Sequence, residues 1–117
     1  MSRRVIFLKR FLEIGFKQSK PETWSGAGWS REYTYHPNYL GDNHYTLVTF
    51  THGEEAGIRE NTEYRLYVHS DIDGMYVASK FQLSYDRDWN KNYLDNQFNQ
   101  IFNLELRDSK LKELLND

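Results

Sequence analysis

Apolar side chains in this chain recur at two different spacings, and the change between them divides it into helical ends and an extended middle. Over residues 4–17, Leu8, Phe11, Leu12 and Gly15 fall on one face at helical spacing, flanked by Val5 and Phe16. Ser2 stands where an N-cap belongs, and Lys17 and Lys20 suit the negative end of a helix dipole. The β-prone run Val5, Ile6, Phe7 makes a strand the competing reading. Residues 19–30, with Pro21 and the run Ser25, Gly26, Ala27, Gly28, read as a loop. Trp24 and Trp29 bracket those glycines and are expected to fold back over a core edge.

From residue 31 the period drops to two. Residues 31–36 set Tyr33 and Tyr35 on one face. Residues 44–52 are dense in β formers, with either Tyr45 and Leu47 or Val48 and Phe50 facing a core. In residues 63–69, Tyr64, Leu66 and Val68 alternate with Glu63, Arg65, Tyr67 and His69. Asp73-Gly74 supplies a two-residue hairpin turn. Its partner strand, 75–85, carries Met75, Val77, Ser79, Phe81, Leu83 and Tyr85 on one face and Tyr76, Ala78, Lys80, Gln82 and Ser84 on the other.

Helical spacing returns at Trp89 with Tyr93, Leu94, Gln97, Phe98, Ile101 and Phe102, capped by Asp86 or Asp88. Phe102, Leu104 and Leu106 alternate, so a short strand over 101–106 competes. Asp108-Ser109 would cap a last helix bearing Leu111, Leu114 and Leu115. The predicted fold is α+β: a small antiparallel sheet of about four strands, with an N-terminal and a C-terminal helix packed on it. No linker, repeat or low-complexity tract interrupts the chain, so residues 1–117 read as one domain.

Composition sharpens this picture. Mean hydropathy is low, at -0.84, but aromatic residues make up 16% of the chain. A few such side chains fill a core, which argues against disorder. The absence of cysteine excludes disulfides, thiolate metal sites and cysteine catalysis, and favours a reducing, cytoplasmic setting. No apolar run is long enough to span a membrane, and Lys9, Arg10 and Glu13 interrupt the N-terminal run too early for a signal peptide. Charge is uneven. Residues 1–20 carry six Lys/Arg against one Glu, whereas residues 41–75 carry seven Asp/Glu against two Arg.

Chemistry-bearing motifs are sparse. His36, His44, His52 and His69 lack the close local pair of a zinc site, and His44 and His52 would lie roughly 27 Å apart along one strand. Asp71, Ile72, Asp73, Gly74 has the letters of a calcium loop, but the twelfth position is Gln82. Gly26, Ala27, Gly28 is too short for a phosphate loop. No metal, cofactor or catalytic residue is assigned.

The charge and tyrosine pattern points instead to a non-enzymatic protein-binding module. Glu54, Glu55, Glu60, Glu63, Asp71 and Asp73 would complement a basic partner, with Arg65, Tyr67, His69 and Tyr76 as outward-facing anchors. The natural target is the cationic surface of a nucleic-acid-handling protein, as immunity proteins and phage anti-defence inhibitors exploit. That is an analogy of kind, carried by no motif. Two rivals stay open. One is a nucleic-acid-binding module using Arg3, Arg4, Lys9, Arg10 and Lys17. The other is a small enzyme with a His/carboxylate cleft under Trp24 and Trp29. Pairing of edge strands in a homodimer is also open.

Overall fold

The computed structural model describes residues 2–70 and 76–116. The chain forms two compact units, residues 1–85 and 86–117. The first begins with helix α1 (Arg3–Ile14) and continues through strands β1 (Lys17–Trp24), β2 (Gly28–Tyr35), β3 (Asn43–His52), β4 (Thr62–Ser70) and β5 (Tyr76–Leu83). The second holds α2 (Lys91–Ile101) and α3 (Asn103–Asn116). The fold is α+β with helices toward both ends, as the periodicities predict. Among the described residues the sheet has five strands, in the order β1-β2-β3-β4-β5, every neighbouring pair antiparallel.

The Ser2 hydroxyl caps α1, accepting from the Val5 amide at 3.2 Å. Gly15 ends the helix with φ 127°, where a side chain would be strained and a Cβ would lie 2.9 Å from the Tyr35 ring. The buried stripe of α1 is Arg4, Phe7, Leu8 and Phe11, which shares Leu8 and Phe11 with the expected face but begins one turn earlier, and Leu12 is exposed. The stripe is set by rings on the sheet below. Phe7 meets Phe11 edge to face at 5.0 Å, and packs against Tyr64 and Phe81 at 6.0 and 6.1 Å.

The additional strand is β1, in the segment expected to be a loop. Nearly all its side chains are exposed, so it shows no apolar alternation. Backbone pairing with β2 makes it a strand, and its two register irregularities and Pro21 are tolerated because it lies at the sheet edge. Trp24 and Trp29 stand directly opposite each other across this hairpin, 5.4 Å between rings.

The β3–β4 register runs unbroken from Asn43↔Ser70 to Thr51↔Thr62. It puts Tyr45 and Leu47 on the face with Val68 and Leu66, under α1, and turns Val48 and Phe50 the other way. The core of this unit is Tyr33, Tyr45, Leu47, Tyr64, Leu66, Phe81 and Leu83 with the stripe of α1. Strict alternation fails along β5, because the register slips twice against β4. Val68 therefore pairs with Ala78 rather than Ser79, while Phe81 and Leu83 keep their predicted face.

In the second unit Asn90 caps α2, its side-chain oxygen accepting from the Asn92 and Tyr93 amides at 2.9 and 3.3 Å. Asp86 and Asp88 lie instead in a preceding 3-10 turn. Residues 103–106 are the start of α3, which excludes the strand considered there, and Asp108 and Ser109 are interior to that helix. Leu94, Phe98 and Phe102 are buried, whereas Leu111, Leu114 and Leu115 are exposed. No helix of the described residues is long and apolar enough to cross a membrane.

Candidate functional site on the sheet face opposite α1

Alternation along β4 gives the sheet a second face. Thr62, Tyr64, Leu66, Val68 and Ser70 are buried, and the intervening Glu63, Arg65, Tyr67 and His69 point away from α1. Their cross-strand partners on β3 are Phe50, Val48, Thr46 and His44. This face lies on the regular centre of the sheet, where β2, β3 and β4 pair without a register shift. Four expected binding residues therefore share one face, the acid Glu63 and the anchor Arg65 at one end and the anchors Tyr67 and His69 at the other, where the neighbouring Thr46 and His44 are buried.

Near Glu63 and Arg65 the face opens into a cleft of about 340 Å³, lined by Ser30, Val48, Phe50, His52, Glu63 and Arg65. Val48 and Phe50 are half-buried and form its apolar part. His52 Nε2 stands 3.3 Å from Glu63 Oε1, and the Phe50 ring meets His52 edge to face at 4.9 Å. Arg65 is exposed and has no carboxylate partner among the described residues. A His–carboxylate pair thus exists, but not under Trp24 and Trp29: Trp29 pairs with Thr51, on the α1 side of the sheet.

At the other end three imidazoles form a row across the strands. His44 lies opposite His69 in register, with His44 Nε2 and His69 Nδ1 3.1 Å apart. His36, just past the end of β2, stacks on His44 with ring centres 4.5 Å apart. The sequence reading missed this cluster because the three positions are far apart in the chain. Only the pairing of the strands, which ends at Tyr35↔Tyr45 just before His36 and His44, brings them together. No three His, Asp or Glu groups among the described residues are arranged to hold a metal ion.

The expected acidic patch is only partly gathered. Glu54 and Glu55 are exposed in the β3–β4 loop. Glu55 pairs with Arg59 at 2.8 Å, and Glu60 reaches toward α1 to pair with the buried Arg4 at 3.1 Å. Asp71 and Asp73, with the Asp73-Gly74 turn, lie outside the described residues. Tyr76 is the first residue of β5, opposite His69.

The loop that carries Glu54 and Glu55 is held by directed bonds. The Thr51 hydroxyl sits 2.7 Å from that of Thr62 and donates to the Gly57 carbonyl at 2.6 Å. The Gly57 amide donates to Glu22 Oε2 at 3.1 Å, and the same oxygen receives Arg31 Nε at 2.8 Å. Burial lowers the Arg31 pKa, but bonding to Tyr33 and Glu22 outweighs it, so the group is raised overall. Trp29 Nε1 donates to the Glu54 carbonyl at 3.0 Å.

The basic residues of the N-terminus do not form one cationic stripe. Arg4 is buried, donating to the Thr62 carbonyl at 3.0 Å, and Lys17 belongs to β1, leaving the exposed Arg3 and Lys9 and the half-buried Arg10 on α1. Comparison with protein-family models, with curated proteins and with solved structures finds no match to this chain.

Proposed function

We propose that this chain is a non-enzymatic protein-binding module that docks a partner on the sheet face opposite α1. The reading rests on one observation: Glu63, Arg65 and Tyr67 alternate outward along β4 beside the half-buried Val48 and Phe50. An arginine and a tyrosine around an apolar patch are the usual composition of an interface centre. The β3–β4 loop at the end of these strands, anchored through Trp29, Thr51 and Thr62 on the α1 side, supplies the charge. Residues 53–63 carry four Glu against one Arg, and Glu54 and Glu55 are exposed in a loop held in place by the bonds described above. Such a loop favours a partner with a basic surface and speeds its encounter. Masking the cationic channel of a nucleic-acid-handling protein is the role that best fits, in the reducing compartment that a cysteine-free chain suits.

Affinity capture followed by kinetics with the purified captured protein tests this. Reversing Glu54 and Glu55 to Lys slows association at low salt, with the difference shrinking as salt rises, while Glu113→Lys on α3 leaves association unchanged. Association rates equal for all three proteins at low salt would refute the docking face.

A further inference from the structure

We infer that the cleft between β2, β3 and β4 binds a small organic carboxylate with an apolar body. This does not rest on the protein-docking reading. The cleft, at about 340 Å³, falls at the low end of small-molecule sites. Its polar groups are unequal in their commitments. Glu63 is engaged by His52 at 3.3 Å, and Glu32, on the neighbouring strand, by Lys20 at 3.5 Å. Arg65 has no such partner among the described residues, and the Ser30 hydroxyl makes no hydrogen bond there.

Chemistry follows from that imbalance. A guanidinium presents a planar fork of donors that matches a carboxylate in two parallel hydrogen bonds. Val48 lies beside Arg65 in the β3–β4 register, and Phe50 beside Glu63. A ligand whose carboxylate sits on Arg65 therefore lays its hydrocarbon portion across Val48 and Phe50, with Ser30 as a further donor. An amine would have to compete with His52 for Glu63 and would bring a second cation up to Arg65. An inorganic anion would leave the apolar floor unused.

Titration of the isotope-labelled full chain, read by backbone amide chemical shifts, tests the assignment. The probes are 3-phenylpropanoate, 3-phenylpropylamine and inorganic phosphate. The carboxylate is expected to shift Val48, Phe50 and Arg65 saturably, at least tenfold more tightly than the amine or phosphate. Arg65→Gln weakens it at least tenfold, and Arg65→Lys, which keeps charge without the fork, weakens it less. Arg65 is exposed, so both variants fold, and an unchanged amide spectrum elsewhere verifies this. Equal binding of the amine or phosphate, non-saturating shifts, or an Arg65→Gln variant that binds like the parent would each overturn the proposal.

Discussion

The Tyr64 hydroxyl donates to the backbone carbonyl of Arg4 at 2.6 Å, joining residues 60 apart in the chain. The link is reciprocal. Arg4 sends its Nε to the carbonyl of Thr62, two residues before Tyr64, at 3.0 Å. Both side chains are buried, so these bonds fix where α1 enters the sheet. Tyr64→Phe removes the second donor to a carbonyl that α1 already uses, at about 1 kcal/mol. Arg4→Met also releases Glu60 and leaves the Thr62 carbonyl unmet, so its loss is the larger, at about 2–3 kcal/mol. Urea denaturation of the two variants checks the order.

The same phenol makes stability sensitive to alkali. Burial, reinforced by the nearby Tyr33, pushes the Tyr64 pKa well above its ordinary value of 10.0, against a smaller opposing pull from Arg4 and Arg31. Below pH 10 neither folded nor unfolded chain ionises it, and its contribution is complete. Above pH 10 the unfolded chain releases the proton while the folded chain holds it. Stability then falls by about 1.4 kcal/mol per pH unit until the folded group also ionises. Tyr64→Phe should show a shallower decline between pH 10 and 11 than the parent. Parallel declines would show that Tyr64 does not contribute.

Gly28 opens β2 against a close neighbour. A Cβ there would lie 2.3 Å from the Thr51 carbonyl oxygen and 2.7 Å from the Phe50 ring. The backbone oxygen cannot yield without breaking the β2–β3 register at Gly28↔His52. Gly28→Ala should therefore lower stability by roughly 1–3 kcal/mol and disturb Phe50, despite alanine's lower conformational-entropy cost. Gly26→Ala is the contrast: no atom lies within 4 Å of its Cβ, so any cost comes from φ 88° alone. Thermal melts of the pair separate crowding from backbone strain.

Glu22 ties the β1 edge to the loop bearing Glu54 and Glu55, since one carboxylate oxygen receives both Arg31 and the Gly57 amide. Glu22→Ala should accelerate hydrogen exchange at Gly57 at least tenfold, while Leu47 and Leu66 in the sheet centre change little. Unchanged exchange at Gly57 would mean that Thr51 and Trp29 hold the loop without Glu22.

The last leucines of α3 divide sharply from the phenylalanines of α2 and its C-cap. Phe98 and Phe102 are buried with ring centres 4.9 Å apart, whereas Leu114 and Leu115 are 65% and 83% exposed. Phe102→Ala should cost about 3–5 kcal/mol. Leu114→Gln with Leu115→Gln should change stability by less than about 0.5 kcal/mol. A large loss from the double leucine variant would reveal a covered face on α3, which sedimentation at rising concentration would then attribute to self-association or to the single chain.

Local pattern was enough for the elements whose burial is one-sided. The alternation of Tyr64, Leu66 and Val68 with Glu63, Arg65, Tyr67 and His69 fixes both faces of β4, because a strand's side-chain period admits no other division. Ser2 marks the start of α1 because capping depends on residues within one turn, whereas the helix expected over 4–17 stops at Gly15, which the spacing puts on its apolar face. What needed tertiary structure was everything decided by a partner strand. The exposed β1 exists through hydrogen bonds to β2 and leaves no hydrophobic trace. The slips along β5 reassign its faces, and no residue type announces them. The cleft and the histidine row combine positions from three strands, and Glu60 is drawn to Arg4 across 56 residues. Sequence spacing carries periodicity within an element, but the register between elements is set by the packing of the whole sheet.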